Sequence, residues 1–332
     1  MRSVRTNLRA TWAEVLACIG LALCPSDTAR ATEPPHFVFS YGGTGSGPGR
    51  MYRPSGIATD GMGRVYVTET HNYRVQVFST TGVPLLSWGS QGSGQGQFHG
   101  PVGIAVSSRY VYVTETVNDR VQVFTMTGSY VTQWGEEGTG PGEFRQPHGI
   151  ATDSAGNVYV ADSLNDRVQK FTADGEFLME WGQYGSGQGE FAWTVGLAVG
   201  PSDEIYVTDY WNYRIQRFTT DGQFVLDWSG LGDGPGWFRR PTGLCVDTKG
   251  DVYVTEVVGD RVVKFSAHGA FLTDWGGEGG DEGQFRWPMH LAIDEGGLIH
   301  VVDRHNDRVQ VFGDRPVSVT PDSWARVKAR YR

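Results

Sequence analysis

Two histidines carry the most suggestive chemistry in this chain. His148 stands in Pro147-His148-Gly149 and His290 in Pro288-Met289-His290, each at the head of a short apolar run. An imidazole titrates near neutral pH, so such a residue can move a proton or ligate a metal. A second group is periodic: Glu69, Glu115, Asp162, Asp209, Glu256 and Asp303 each precede an arginine by five residues, at Arg74, Arg120, Arg167, Arg214, Arg261 and Arg308. Six carboxylates at a fixed interval could ring a cation. Strict recurrence favours a simpler reading, in which each carboxylate accepts hydrogen bonds from the following loop and pairs with the arginine of its own copy. Function is then sought where a copy departs from the pattern.

Those arginines fall 46 or 47 residues apart, in the phrase Asn-x-Arg-[Val/Ile]-x-x-Phe or close variants of it. A period of this length marks stacked supersecondary units. Within residues 135–181, four runs of four to six residues, rich in β-branched and aromatic side chains, are separated by Gly, Asp, Asn and Pro. They predict four antiparallel strands joined by tight turns. No stretch of the array shows the three-and-four apolar spacing of a helix. The expected fold is all-β, a six-bladed propeller of four-stranded blades over residues 37–312. Trp88, Trp134, Trp181, Trp228 and Trp275 recur at the end of the fourth strand and predict packing between blades. Phe37-Val38-Phe39-Ser40-Tyr41-Gly42 matches a fourth strand, whereas the last copy stops after its third, at Phe312. The N-terminal strand is therefore expected to complete the sixth blade and close the ring, which removes an open edge.

At this point the residues resemble the NHL repeat family: Pro241-Thr242-Gly243-Leu244-Cys245-Val246-Asp247, Gly250-Asp251-Val252-Tyr253-Val254 and Asp260-Arg261-Val262 match its pattern, over residues 37–312. The resemblance implies the propeller fold. It leaves the activity open, because the family includes RNA- and protein-binding propellers, bacterial sensor domains, and relatives of the peptide-amidating and virginiamycin B lyases. The lyase relatives carry histidines near Pro-His-Gly motifs around a metal at the channel mouth. Here only His148 matches that motif and His290 is offset by one position. Three convergent histidines, the usual number of protein ligands at a catalytic zinc, are not visible, although His71, His99 and His305 lie in loops of the same face. A polar lining of the pore is the simpler reading of the two histidines. No cofactor is expected, with a divalent metal at the channel mouth as the competing possibility.

The departures from the period gather in the loops before strand one and after strand two, which reach one face of an up-and-down blade. Besides His148 and His290, that face carries Arg53, Arg145, Arg239, Arg286 and Arg304, with Trp193, Trp287, Tyr210 and Trp211. Aromatic and arginine side chains around a channel mouth are the composition of a recognition surface. The expected function is non-catalytic binding of a protein, peptide or glycan by a monomer. The alternative is a metal-dependent lyase. No nucleophile motif or phosphate loop emerges; the recurrent Gly-rich loops do not lead from a strand into a helix.

Residues 1–31 look like a secretory signal, with Arg2, Arg5 and Arg9, an apolar run from Val15 to Leu23 and Ala29-Arg30-Ala31 as a cleavage site. The expected location is secreted or periplasmic. A lipid-anchored form through Cys24 stays open. The run is too short for a stable membrane span, and no transmembrane segment is expected in the mature chain. Cys245 is then the single cysteine, at a position held elsewhere by Ala58, Ala105, Ala151, Ala198 and Ala292, and reads as a core residue. The formal charge of −9 opposes nucleic-acid binding, which draws its affinity from basic surface. Residues 313–332 form a tail in which Thr320-Pro321-Asp322-Ser323 predicts the start of a short basic amphipathic helix.

Overall fold

The computed structural model describes residues 33–232 and 234–313, which form six four-stranded antiparallel sheets. The expected signal segment and the C-terminal helix lie outside the described residues. Blade 1 covers residues 54–88, blade 2 101–134, blade 3 147–181, blade 4 194–228 and blade 5 241–276. Blade 3 has the strands Pro147–Thr152, Val158–Asp162, Arg167–Phe171 and Phe177–Trp181, in sequential order. The second strand is buried along its whole length and the fourth alternates half-buried with exposed. That gradient runs from the centre of the ring to its rim and explains why Val158-Tyr159-Val160-Ala161 is apolar throughout.

The blades pack through the expected tryptophans. Trp134 meets Phe171 of the next blade at 5.6 Å between ring centroids. It also lies where a Cβ on Gly175 would come within 2.5 Å of the indole, and Gly175 has φ +90°. Both the contact and the backbone conformation therefore require glycine there.

The ring closes as the sequence predicts. His36–Gly42 pairs antiparallel with Arg308–Gly313, beside Ile299–Asp303 and Pro288–Ile293, to make blade 6. Tyr41 sits opposite Val309, as Trp181 sits opposite Val168 in blade 3. It packs on Phe78 of blade 1 at 5.0 Å, and so does the work of the missing tryptophan. Among the described residues no helix is long and apolar enough to cross a membrane.

Candidate functional site

Each blade first fixes its own loops. The Asp162 carboxylate is fully buried and accepts the backbone N–H of Arg145 at 2.7 Å, Asn165 Nδ2 at 2.9 Å, Arg167 Nε at 2.8 Å and Gln169 Nε2 at 3.1 Å. Arg167 then spends its other donors on the Thr139, Gly140 and Glu143 carbonyls of the Gly-rich loop and on Glu180. The same carboxylate–arginine pair recurs at 2.6–2.9 Å in all six blades. The periodic carboxylates are therefore structural clasps, as expected, and every partner they need comes from the protein.

With the loops clasped, the residue just before the inner strand takes a left-handed conformation in five of the six blades, Arg240 of blade 5 being the exception. Gly100 takes it at φ 70° without strain, but Arg53 (φ 54°), Gln146 (φ 50°), Trp193 (φ 67°) and Trp287 (φ 55°) take it with side chains. A non-glycine residue there costs about 1–2 kcal/mol. The conformation is held by aspartates of the preceding blade: Asp307 accepts from the Arg53 N–H at 2.8 Å, Asp119 from Gln146, Asp166 from Trp193 and Asp260 from Trp287. The positions that bear this strain are among those that vary most from blade to blade.

Over blades 3 to 6, two of them, Trp193 and Trp287, help enclose a cavity of about 210 Å³. Trp193, Val195, Tyr210 and Trp211 come from blade 4, Thr242 and Val257 from blade 5, Met289 and the preceding Trp287 from blade 6, and His148 from blade 3. Tyr210 meets Trp211 edge-on at 5.1 Å, the Arg240 guanidinium lies 4.5 Å above the Trp211 ring, and Trp287 stacks on His305 at 4.6 Å. Trp211 and Trp287 remain 42% and 48% exposed, so large apolar surface is held open to solvent by rigid neighbours.

His148 Nδ1 lies 2.9 Å from the Gln146 carbonyl and 2.9 Å from Ser163 Oγ, whose own proton goes to the Thr194 carbonyl. Nδ1 therefore carries the proton, and Nε2 of the neutral ring is left as an acceptor. Burial, with the Arg304 charge adding to it, holds its pKa below the usual range.

The axis of the ring is closed by glycine in five blades and by His290 in the sixth. A Cβ on Gly56 would meet the Val102 carbonyl at 2.2 Å, and one on Gly103 the His148 carbonyl at 2.0 Å; Gly149, Gly196 and Gly243 are as tight. Thr68, Thr114, Thr208 and Thr255 add a hydroxyl bond to the neighbouring blade's carbonyl at 2.6–2.8 Å. At the seam between blades 6 and 1 both devices are replaced, by His290 and Val302. His290 lines a central cavity of about 240 Å³ bounded by all six inner strands. Burial first, then the nearby His148 and Arg304 charges, push its pKa down to about 4. Cys245 packs against the core between blades 5 and 6 and also lines this central cavity.

Of the residues singled out in the sequence, His148, Trp193, Tyr210, Trp211 and Trp287 thus share one cavity. His290, Arg53 and Arg304 gather at the adjoining seam, where Arg304 lowers the pKa of His290 and His148, and Arg53 that of Arg304. Arg145, Arg239 and Arg286 stand exposed farther out; their backbone N–H groups serve the clasps at Asp162, Glu256 and Asp303. Among the described residues no three His, Cys, Asp or Glu side chains converge as a metal site. Ser55 occupies the His148 position of blade 1 with its side chain fully buried, and the sequence signals nothing there beyond a small polar residue where other copies have Val102, Val195 and Thr242.

The NHL repeat family matches residues 51–78, 191–218 and 238–265, and a family described as a 6-bladed beta-propeller matches residues 99–181. The chain is an NHL-repeat six-bladed propeller. No curated protein matches it. Among solved structures it is similar to a streptogramin B lyase (15% identity, 84% of this chain and 99% of that one, TM-score 0.59). A gluconolactonase from Xanthomonas campestris is similar at 15% identity, over 86% and 98%, with TM-score 0.60. A protein of unknown function from Bacteroides thetaiotaomicron is similar at 17% identity, over 83% and 76%, with TM-score 0.63. Identities this low show the fold that this NHL propeller shares with them, and nothing of its chemistry.

Proposed function

We propose that this propeller is a non-catalytic binding protein that receives a ring-sized apolar group of a protein, peptide or glycan ligand in the mouth over blades 3 to 6. One observation carries the reading: the aromatic cavity is built from the positions at which the copies differ, with Trp193 and Trp287 on left-handed backbone that Gly100 takes without strain in blade 2. Strain retained at a non-periodic surface is a mark of function. A cavity of this size, mostly apolar with a few polar groups at its edge, is of the kind that takes one or two rings. The N-terminal pattern supports a secreted or periplasmic setting.

The lyase reading rests on His148 and on fold likeness alone. His148 commits its Nδ1 to the scaffold, and the donors around it fall short of a three-ligand set.

The test uses 2-naphthamide as a neutral two-ring probe, followed by tryptophan fluorescence and calorimetry. The wild-type protein is expected to bind it saturably, and Trp193→Ala to weaken binding at least tenfold without loss of fold. Absence of binding, or binding indifferent to Trp193→Ala, would remove the proposal.

A further inference from the structure

We propose that the seam between blades 6 and 1, beside the aromatic cavity, is an oxyanion subsite that takes the carboxylate or phosphate head of the ligand. This rests on the binding reading above and names the charge of what is bound.

Three buried polar atoms of blades 1 and 6 have no hydrogen-bond partner: Arg53 Nη1, Ser55 Oγ and His290 Nε2. His290 is more than nine-tenths buried and Ser55 is fully buried. The remaining atoms of this kind among the described residues are the five periodic tryptophan indoles and Arg217 Nε. A buried donor left unpaired costs about 1–3 kcal/mol, so three on two adjoining blades call for an acceptor between them. All three can donate, the histidine through its Nε2–H tautomer. An acceptor-only group satisfies them together.

Charge gives the same answer. Each clasp arginine has a carboxylate, whereas Arg53 and Arg304 have none among the described residues. Among the described residues the only side-chain hydrogen bond of Arg304 is a long one, 3.4 Å to Thr70 Oγ1. The nearby acid, Asp307, is occupied by the Arg53 N–H at 2.8 Å and the Thr44 hydroxyl at 2.7 Å. Burial and the Arg53 charge hold the Arg304 pKa down to about 10, and burial, with the same two cations adding to it, lowers His71 and His305 beside them. Two guanidinium groups gathered in a partly desolvated place repel each other until an anion enters. Planar, bidentate oxyanions suit them best. In a chain of net charge −9, such a local cationic funnel also selects where an anion can approach.

The repeat supplies its own conservative variants. Thr70 and Thr116 occupy the Arg304 position in blades 1 and 2, and Gln146 the Arg53 position in blade 3 at φ 50°. The probes are 2-naphthoate and 2-naphthyl phosphate against the neutral 2-naphthamide, titrated by calorimetry into wild-type protein, Arg304→Thr and Arg53→Gln, with melting curves for each. We expect one or both anions to bind at least tenfold tighter than the amide, the tighter of them naming the head. Each variant is expected to lose about tenfold for the anion and leave the amide unchanged. Should either variant fail to fold, the wild-type protein still decides: the advantage of the anion must shrink as salt rises. Equal binding of anion and amide would overturn the subsite and leave the aromatic cavity standing. No binding of any probe would remove both readings.

Discussion

At the residue scale the decisive feature is His290, which stands where five blades have glycine. Burial holds it neutral when folded, with a pKa of about 4 against 6.5 for the free side chain. A depressed folded pKa gives stability that is complete above 6.5 and is lost as pH falls towards 4. The size is at most about 3 kcal/mol. The His290→Gly protein should therefore lose less stability between pH 6.5 and 4 than wild type in denaturant titrations. His148, His71 and His305, shifted the same way, keep part of the slope. An unchanged slope would show that His290 is not held neutral. The five glycines make the complementary prediction. Gly103→Ala would press a methyl against the His148 carbonyl, which lies 2.0 Å from the Cβ position. It should cost roughly 2–3 kcal/mol by overpacking, where a surface Gly→Ala change at a compatible φ would cost little.

At the scale of the blade, the clasp of carboxylate, asparagine, arginine and glutamine holds both mouth-forming loops. Arg167→Ala would leave the fully buried Asp162 without its cation and free three carbonyls of the Gly-rich loop. A loss of about 3–5 kcal/mol is expected from breaking a buried pair on one side, read from the denaturant midpoint. A midpoint unchanged by the substitution would refute the clasp. This level was legible in the sequence because it repeats: Asn165, Arg167 and the carboxylate recur in register, and repetition separates scaffold from site. The mouth was legible only as a set of exceptions. Trp193, Trp211 and His148 stood out against their copies. Ser55 did not, since a serine among Val102, Val195 and Thr242 looks unremarkable until its hydroxyl is found buried without a partner. The left-handed backbone at Arg53, Gln146, Trp193 and Trp287 was hidden as well, because one blade alone marks that position with glycine. Nor does a one-residue offset from Pro-His-Gly reveal that His290 has entered a ring of glycines at the axis.

At the scale of the whole molecule, the N-terminal strand joins the two ends of the described chain in one sheet. Tyr41 in the tryptophan position announced that closure, and the register of His36–Gly42 on Arg308–Gly313 bears it out. A protein lacking residues 33–42 would expose the Arg308–Gly313 edge and leave Phe78 uncovered. It should melt at much lower temperature and self-associate through the open strand. A monomer of wild-type stability would mean that closure contributes nothing. Closure also brings blade 6 against blade 1, and it is at this seam that the glycine and threonine devices give way to His290, Val302, Arg53 and Arg304.

A crystal structure of the protein with 2-naphthoate shows directly where a ligand sits. It should place the rings against Trp193 and Trp211 and the carboxylate against Arg53, Ser55 and His290. Density on the opposite face, in the cleft beside Met62 and Arg64, or a carboxylate turned out to solvent, would contradict it.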